Sequence, residues 1–281
     1  MIALLHGDAF RFISSVPPRF ADLILTDPPY GRNACVSKTS TQKKMKMGST
    51  ALLGSFGVRG DTFVEMKPIA LVAGALKNDS YFLLFCGGMD SPFWHEELSK
   101  AVGLRPIAQL VWDKRSQGML SKHFAVCHEL IWIFARGQPR PTGRRNFSIL
   151  SVAIPHGRSR RHSGEKPVGL LESLLSSTSR PNDLVFDPFA GSGSTGVACA
   201  RTGRHFLGCE IDKETFEYAK ERIENACRIA GRNGEFCSGT VDLFPVGCDL
   251  SRFLEAEGAS RSRLREAPSR KPVEPAGDES S

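Results

Sequence analysis

One stretch of the chain limits its possible folds more than any other, and it reads NDLVFDPFAGSGSTGVACARTGRHFLGCEID over residues 182–212. An apolar run ends at Asp187, a helix opens near Ser194 and a second apolar run ends at Glu210. The turn between the first run and the helix contains Gly191, Gly193 and Gly196. Strand, glycine turn, helix and strand predict a βαβ unit in which backbone N–H groups approach a ligand closely.

This βαβ unit predicts a nucleoside cofactor. The glycines match the spacing G-x-G-x-x-G, and Glu210 follows Gly191 by nineteen residues, at the tip of the next strand. An acid at that place accepts hydrogen bonds from ribose hydroxyls. The spacing leaves NAD, FAD and S-adenosylmethionine open as ligands, and a purely structural turn is the other alternative.

The rest of the chain alternates between strand and helix patterns. Apolar runs of strand length lie at 2–5, 22–26, 80–86, 107–112, 130–134, 184–186 and 206–209. Helical periodicity occurs around 62–77, 93–102, 167–177, 194–202 and 213–230. The alternation predicts an α/β fold with a mostly parallel sheet covered on both faces. Because no helix pattern lies between residues 105 and 135, we expect an antiparallel hairpin at one edge.

A second unusual stretch is ADLILTDPPYG, where an apolar run ends at Asp27 and continues into Pro28, Pro29 and Tyr30. Asp-Pro and Pro-Pro are turn signals, so an ordinary turn is one interpretation. The other is a ligand site, because parallel strands bind ligands at their carboxyl ends. Four acids follow apolar runs in this way, namely Asp8, Asp27, Asp187 and Glu210. Asp8 could instead only cap the helix AFRFISS.

The net charge of +7 is concentrated in two segments, residues 32–60 and 137–161, that have neither helix nor strand periodicity. Six Lys or Arg lie between residues 32 and 60 and seven Arg between residues 136 and 164, and neither interval contains an acid. Such blocks predict contact with a polyanion such as nucleic acid. Solvated loops that are basic by chance are the alternative.

The apolar stretches, the N-terminus and the cysteines argue against a membrane protein, a secreted protein and a metal-binding protein. No apolar stretch approaches the length of a membrane helix, and MIALLHGD reaches a charge too early for a signal peptide, so we expect a cytoplasmic protein. The eight cysteines form no C-x-x-C pair, so no metal site is predicted. We expect one catalytic domain over residues 1–236 and a disordered tail over 237–281.

Together, TDPPYG and DPFAGSGST resemble the motifs of S-adenosylmethionine-dependent DNA amino-methyltransferases, which modify the exocyclic amine of adenine or cytosine. The catalytic motif precedes the cofactor motif, as in the circularly permuted beta group of that family. The resemblance implies a Rossmann-like methyltransferase fold, S-adenosyl-L-methionine as cofactor and double-stranded DNA as partner. It also implies a bacterial or phage-encoded enzyme of the restriction–modification kind, with no membrane partner.

The resemblance also implies roles for individual residues. The catalytic residues would be Asp27, Pro28, Pro29 and Tyr30. The cofactor-binding residues would be Asp8, His162, Lys166, Asp187, Phe189, Gly191, Gly193, Ser194 and Glu210. A hairpin with Trp112, Lys114, His128 and Glu129 is similar to that of the family. The family more often has Pro-Thr-Gln in place of Ser163-Gly164-Glu165 and Thr in place of Ser194, and His162 could be structural instead.

The implied reaction is methyl transfer to a base that has been rotated out of the duplex. Asp27 would accept a hydrogen bond from the base amine, and Tyr30 would stack on the base. Members with Asp at the first motif position mostly modify adenine, so Asp27 favours N6 of adenine over N4 of cytosine. An NAD(P)-dependent oxidoreductase is the remote alternative, and the sequence leaves the oligomeric state open, with a homodimer as one option.

Overall fold

The computed structural model describes residues 1–15, 18–28, 67–88, 90–116, 125–143, 147–154 and 164–241. All of them belong to the unit Met1–Cys248, and a second unit, Asp249–Ser281, lies outside the described residues. Three predicted site residues also lie outside the described residues, namely Pro29, Tyr30 and His162. The basic segment 32–60 and most of the predicted tail do so as well.

Nine strands and six helices make up the described part of the chain. The strands are β1 (Ile2–His6), β2 (Ala21–Thr26), β3 (Leu76–Cys86), β4 (Arg105–Asp113), β5 (His128–Arg136), β6 (Ile149–Ser151), β7 (Leu184–Asp187), β8 (His205–Glu210) and β9 (Phe236–Thr240). The helices are α1 (Ala9–Ser15), α2 (Lys67–Gly74), α3 (Ser91–Glu96, continued by a π-helical turn Glu97–Ala101), α4 (Val168–Thr178), α5 (Ser194–Arg201) and α6 (Lys213–Ile229).

The strands form one sheet in the order β6-β4-β5-β3-β2-β7-β8-β1-β9. Strand β5 is antiparallel to both of its neighbours, and the other pairings are parallel. The predicted α/β fold, with a mostly parallel sheet and an antiparallel β4–β5 hairpin, is therefore confirmed. The circular permutation stays a prediction. This topology brings the carboxyl ends of β1, β2, β3, β7 and β8, and the start of β5, to one edge of the sheet.

The central strands are buried because helices cover them. Helix α4 packs four leucines into the core, Leu170, Leu171, Leu174 and Leu175. Helix α6 buries one stripe, Phe216, Ala219, Ile223, Ala226 and Cys227, and its N-cap Asp212 accepts a hydrogen bond from the N–H of Thr215 at 2.8 Å. With 17 residues it is the longest described helix, and no described helix is both long and apolar enough to cross a membrane.

Three boundaries differ from the sequence-based expectations. The helix expected at 62–77 ends at Gly74, because Leu76 already pairs with Ala21 of β2. Strand β9 extends the sheet to Thr240, past the expected domain boundary at residue 236. Strand β6 lies outside the hairpin, which is therefore next to the sheet edge rather than on it. The sequence patterns predicted neither β6 nor β9, because both strands are short and partly exposed and lack an apolar pattern.

The first part of the basic segment 137–161 lies at the amino edge of the sheet, away from the carboxyl ends. Arg136 pairs with Ser80 in the first half of β3. Beyond it, the N–H of Thr142 donates to the carbonyl of Ser177, at the end of α4. The segment then forms β6, so it is not the single continuous loop that its composition suggests.

Candidate active site

A cavity of about 580 Å³ opens at the carboxyl edge of the sheet, between the ends of β1, β2, β7 and β8. That volume is typical of small-molecule sites. The cavity is lined by eight predicted site residues, Asp8, Asp27, Lys166, Asp187, Phe189, Gly191, Ser194 and Glu210. Gly193 and the buried Pro28 are not among the lining residues. Lys166 is the one cationic side chain among the described lining residues, against five carboxylates.

The glycine turn has the backbone geometry that only glycine adopts easily. Gly191 has a φ of 51° and Gly193 a φ of 77°, both in the left-handed region. A Cβ atom at Gly193 would lie 2.9 Å from the Cβ of Ala219, and one at Gly196 would lie 2.6 Å from Cδ1 of Ile223. These glycines let α5 and α6 pack closely, whereas Gly191 faces open space at the cavity.

Asp187 holds the glycine turn in place. It is buried, and it accepts hydrogen bonds from the hydroxyls of Thr26 at 3.0 Å and Thr195 at 2.8 Å and from the N–H of Phe189 at 3.2 Å. Burial raises the pKa of Asp187 to about 7, against the effect of these hydrogen bonds. The residue thus joins β2, β7 and α5 at the wall of the cavity.

Glu210 and Asp8 are the two other acids at strand ends. Glu210 accepts from the N–H of Gly191 at 2.9 Å and from the N–H of Asp212 at 2.8 Å, one at each oxygen. Burial raises the pKa of Glu210. Each oxygen keeps acceptor capacity toward the cavity. Asp8 accepts from the N–H of Phe10 at 2.8 Å, so it caps α1 and lines the cavity as well.

Asp27 is the first member of a row of alternating charges. Its carboxylate accepts a hydrogen bond from the ammonium of Lys166. The same ammonium lies 3.1 Å from Oε2 of Glu129, and Oε1 of Glu129 lies 2.6 Å from the ammonium of Lys114. Burial opposes the charged form of Lys166, but the negative charges of Asp27 and Glu129 outweigh it and raise its pKa. The ammonium lies 5.1 Å from the ring centroid of Phe85.

Arg222 of α6 connects the two walls of the cavity. Its guanidinium lies 2.7 Å from Oε1 of Glu165, which is buried next to Lys166. It also donates to the carbonyl of Ser192 at 2.5 Å and to the hydroxyl of Ser194 at 3.3 Å. One side chain therefore ties the segment before α4 to the glycine turn.

Comparison with known proteins places this site in a family. A family model for N6/N4 methyltransferases, described as DNA methylase, matches residues 21–221, which is well over half of the chain. The chain belongs to this DNA methylase family. It is therefore a DNA methyltransferase, and S-adenosyl-L-methionine is its methyl donor. The family gives no support to the oxidoreductase alternative.

Individual methylases are similar over most of this methylase. M2.DpnII, a type II methyltransferase of Streptococcus pneumoniae, is 24% identical, with 79% of this chain and 89% of that protein covered. The DNA adenine methyltransferase YhdJ of Escherichia coli K12 is 24% identical, with coverages of 79% and 83%. The solved M1.HpyAVI complex with its cofactor has a TM-score of 0.62 and 24% identity, with coverages of 79% and 99%. The cytosine-N4-specific PvuII methyltransferase has a TM-score of 0.61 and 18% identity, with coverages of 86% and 95%.

The cavity of this methylase fits its methyl donor. The donor carries a positively charged sulfonium, and carboxylates dominate the described cavity lining. The open side of Gly191 leaves room for close approach to backbone, and Glu210 presents acceptors suited to ribose hydroxyls. The ammonium of Lys166 already contacts two carboxylates, so it is not a free partner for the donor.

Sequence reasoning missed three residues that shape the site, Thr26, Thr195 and Arg222. The first two are the hydroxyl donors to Asp187, and the third is the link between the cavity walls. Thr26 directly precedes Asp27 and was part of the quoted motif, so it could have been found as a buried polar residue at a strand end. Arg222 carries no local signal, because its partners lie 28 to 57 residues away in the chain.

Proposed function

We propose that this methylase transfers the methyl group of S-adenosyl-L-methionine to the exocyclic N6 amine of adenine at specific sites in double-stranded DNA. The single observation that carries the proposal is that Asp27 and the glycine turn line one cavity. They can do so because β2 and β7 are neighbouring parallel strands. The methyl donor and the carboxylate for the amine therefore meet at one edge of the sheet.

The catalytic role of this chain is to orient the amine. A base amine is a weak nucleophile, because its lone pair is delocalised into the ring. We propose that Asp27 accepts one hydrogen bond from the amine and the carbonyl of Pro28 a second, which favours tetrahedral geometry at the nitrogen. Pro28 and Pro29 bring no N–H donor to these acceptors. Tyr30 stacks on the extruded base.

The cofactor is assigned to the rest of the predicted set. When bound, it supplies a methyl group that the sulfonium has already activated. Gly191 and Gly193 provide the close backbone approach, and Glu210 and Asp8 supply carboxylate acceptors. The further proposed contacts are Phe189, Ser194, Asp187, Lys166 and His162. Of these, Lys166 offers its aliphatic stem, since its ammonium is held by Asp27 and Glu129.

DNA contact is proposed for the segments that adjoin the cavity in sequence. Residues 32–60 follow the catalytic motif directly, and residues 155–161 precede the cavity-lining Gly164. Their lysines and arginines suit phosphate contacts, which position the enzyme without reading the sequence. The catalytic domain is proposed to end near Thr240, the last residue of the described sheet, with residues 242–281 as a tail.

Adenine is preferred over cytosine for two reasons. Asp27 occupies the first motif position, where the resemblance favours adenine. YhdJ, which is similar over 79% of this chain, is named an adenine methyltransferase. The similarity to the cytosine-N4-specific PvuII enzyme, at 18% identity, concerns the fold alone. N4 of cytosine remains the second candidate, because the family model includes both activities.

Product analysis tests this function. Unmethylated DNA of mixed sequence is incubated with the enzyme and S-adenosyl-L-methionine carrying a labelled methyl group, then digested to nucleosides and separated by mass. We expect labelled N6-methyladenine, and none with the variant Asp27→Ala. Labelled N4-methylcytosine would support the second candidate. No labelled nucleoside from a folded enzyme that binds the cofactor would contradict the proposal.

The assembly and setting of the enzyme are proposed only from its likeness to the family. We propose a homodimer in the cytoplasm of a bacterium or of a phage-infected cell. Sedimentation equilibrium of the purified chain measures the first point directly, and a monomer at all concentrations would contradict it.

A further inference from the structure

Four charged side chains from four separate segments form a continuous row beside the active site. Asp27 follows β2, Lys166 precedes α4, Glu129 lies on β5 and Lys114 follows β4. The exposed fractions of their side chains are 28%, 11%, 18% and 20% in that order. Asp27 and Lys166 line the cavity, whereas Glu129 and Lys114 do not.

The pairing within this row is uneven. Lys166 directs a hydrogen bond to Asp27. It also lies 3.1 Å from Oε2 of Glu129, yet that buried oxygen makes no hydrogen bond of acceptable geometry within the described part of the chain. The other oxygen of Glu129 contacts Lys114 at 2.6 Å. The contact of Lys166 with Glu129 is thus an ion pair without a well-formed hydrogen bond, whereas its contact with Asp27 is a hydrogen bond.

The proposed reaction conflicts with the observed position of Lys166. Asp27 is assigned to the base amine, but its carboxylate now carries the ammonium of Lys166. Methyl transfer also places positive charge on the amine nitrogen, which a neighbouring ammonium disfavours. Asp27 can serve the amine best after Lys166 has moved away.

We propose that Lys166 exchanges Asp27 for Glu129 when the target base enters, and that Glu129 is the positioning residue that frees the catalytic carboxylate. This inference rests on the proposed function of Asp27. The distance to be covered is short, because Lys166 already lies within ion-pair distance of both carboxylates. The rings of Phe85 and Trp112, 5.1 and 6.0 Å from the ammonium, favour its charged form where it lies between the two carboxylates. Lys166 stays charged throughout, so no proton has to be transferred.

The decisive comparison is between Glu129→Gln and the double variant with Lys166→Met. Glu129→Gln removes the second carboxylate, so Lys166 stays on Asp27. We expect kcat to fall about 10-fold or more while KM for the cofactor stays within about 2-fold. Adding Lys166→Met removes the competing ammonium, and we expect it to raise kcat at saturating cofactor at least about 5-fold above that of Glu129→Gln alone.

Asp22→Asn is the matched control. Asp22 and Lys77 form an ion pair of 2.9 Å with exposed fractions of 23% and 19%, close to those of Glu129 and Lys114, but at the amino edge of the same sheet. Its kcat should equal that of the wild type. Should Glu129→Gln fail to fold, Lys114→Met offers a second test, because Glu129 can still receive Lys166 and kcat should stay within about 3-fold.

Three results separate the possible failures. A wild-type enzyme that produces no N6-methyladenine contradicts the proposed function. A wild-type enzyme that produces it while Glu129→Gln retains full kcat overturns the exchange of Lys166 alone. The exchange is also overturned if Lys166→Met brings no recovery, since a merely structural role of Glu129 predicts none.

Discussion

The glycine turn and the charged row differ in how they are assembled. The turn, from β7 to the end of β8, is a single stretch of about thirty residues whose parts contact one another, as Asp187 with Thr195 and Gly191 with Glu210. The charged row joins Asp27, Lys114, Glu129 and Lys166, which are up to 139 residues apart. Contacts between residues close in the sequence thus form much of the turn, with Thr26 and Arg222 added from outside it, whereas the row exists only because the sheet brings β2, β4 and β5 together.

This difference has a consequence for function. The turn is held by the hydrogen bonds of buried Asp187 and by the close packing of Gly193 and Gly196. The row contains a lysine with two carboxylates within ion-pair distance, and the proposed exchange would give it two states. We therefore expect substitutions in the turn to act on stability and cofactor affinity, and substitutions in the row to act on the rate of transfer.

Asp27→Ala should produce the largest change. It removes the proposed acceptor for the base amine, so we expect kcat to fall at least about 100-fold while cofactor affinity changes less than about 3-fold. Single-turnover methylation and calorimetry measure the two quantities. The kcat of Asp27→Asn, which keeps one acceptor oxygen, should lie between those of the wild type and Asp27→Ala. If Asp27→Ala methylates DNA at nearly the wild-type rate, the charged row does not control the rate of transfer, and the contrast with the turn is wrong.

Gly193→Ala should damage the turn. Its φ of 77° and the 2.9 Å approach to Ala219 leave no place for a Cβ atom. We expect the free energy of unfolding to fall by about 1 to 3 kcal/mol and the cofactor to bind at least about 10-fold more weakly. Gly169→Ala, at a helical position with nothing within 4 Å, should instead be neutral or stabilising by roughly 0.5 to 1 kcal/mol. Equal effects of the two variants would show that position 193 does not require glycine.

Asp187 should make the stability of the folded chain depend on pH. Its pKa is raised from 3.8 to about 7, so the folded chain binds more protons than the unfolded chain between about pH 4 and 7. Stability must then decrease as pH rises through this window, by roughly 1 to 4 kcal/mol. Asp187→Asn should flatten that slope, as measured by denaturation of the cofactor-free chain at a series of pH values. An unchanged slope would show that other groups cause it.

Glu165→Gln should have a small effect on cofactor binding. It removes the charge facing Arg222 but keeps a hydrogen-bonding oxygen. We expect KM for the cofactor to rise about 2- to 5-fold with kcat unchanged, because Arg222 also holds Ser192. Glu217→Gln is the control for an exposed ion pair in α6, where Lys220 lies 3.8 Å away, and it should leave both kcat and KM unchanged. A lower kcat with unchanged KM would show that Glu165 acts on the rate of transfer, as the residues of the charged row do, and not on cofactor binding.

Arg140→Glu should have the smallest effect of all. Arg140 belongs to the part of the basic segment that lies at the amino edge, so DNA affinity at moderate salt should stay within about 2-fold. The double variant Arg160→Glu and Arg161→Glu, in the part that adjoins the cavity in sequence, should weaken binding and reduce its salt dependence. Equal losses would place Arg140 in the DNA-contact surface as well.

The predictions from sequence were most accurate where the signal was local. The α/β fold, the hairpin and the family followed from alternating patterns and two motifs, because each motif lies within one strand and its following turn. Strands β6 and β9 were missed, since each is short and partly exposed. The basic segment 137–161 was taken as one loop, because composition does not show that residues 137–143 pack on the end of α4.

The sequence by itself determined the type of fold, the family and the edge of the sheet at which the candidate site lies. Strand ends, glycines and the Asp-Pro-Pro-Tyr motif are properties of consecutive residues, and backbone sterics act over that range. Only the tertiary structure decided which charges meet, that Lys166 reaches both Asp27 and Glu129, and that Arg222 joins the cavity walls. Ion pairs depend on distance in space, and the order of strands in the sheet sets that distance.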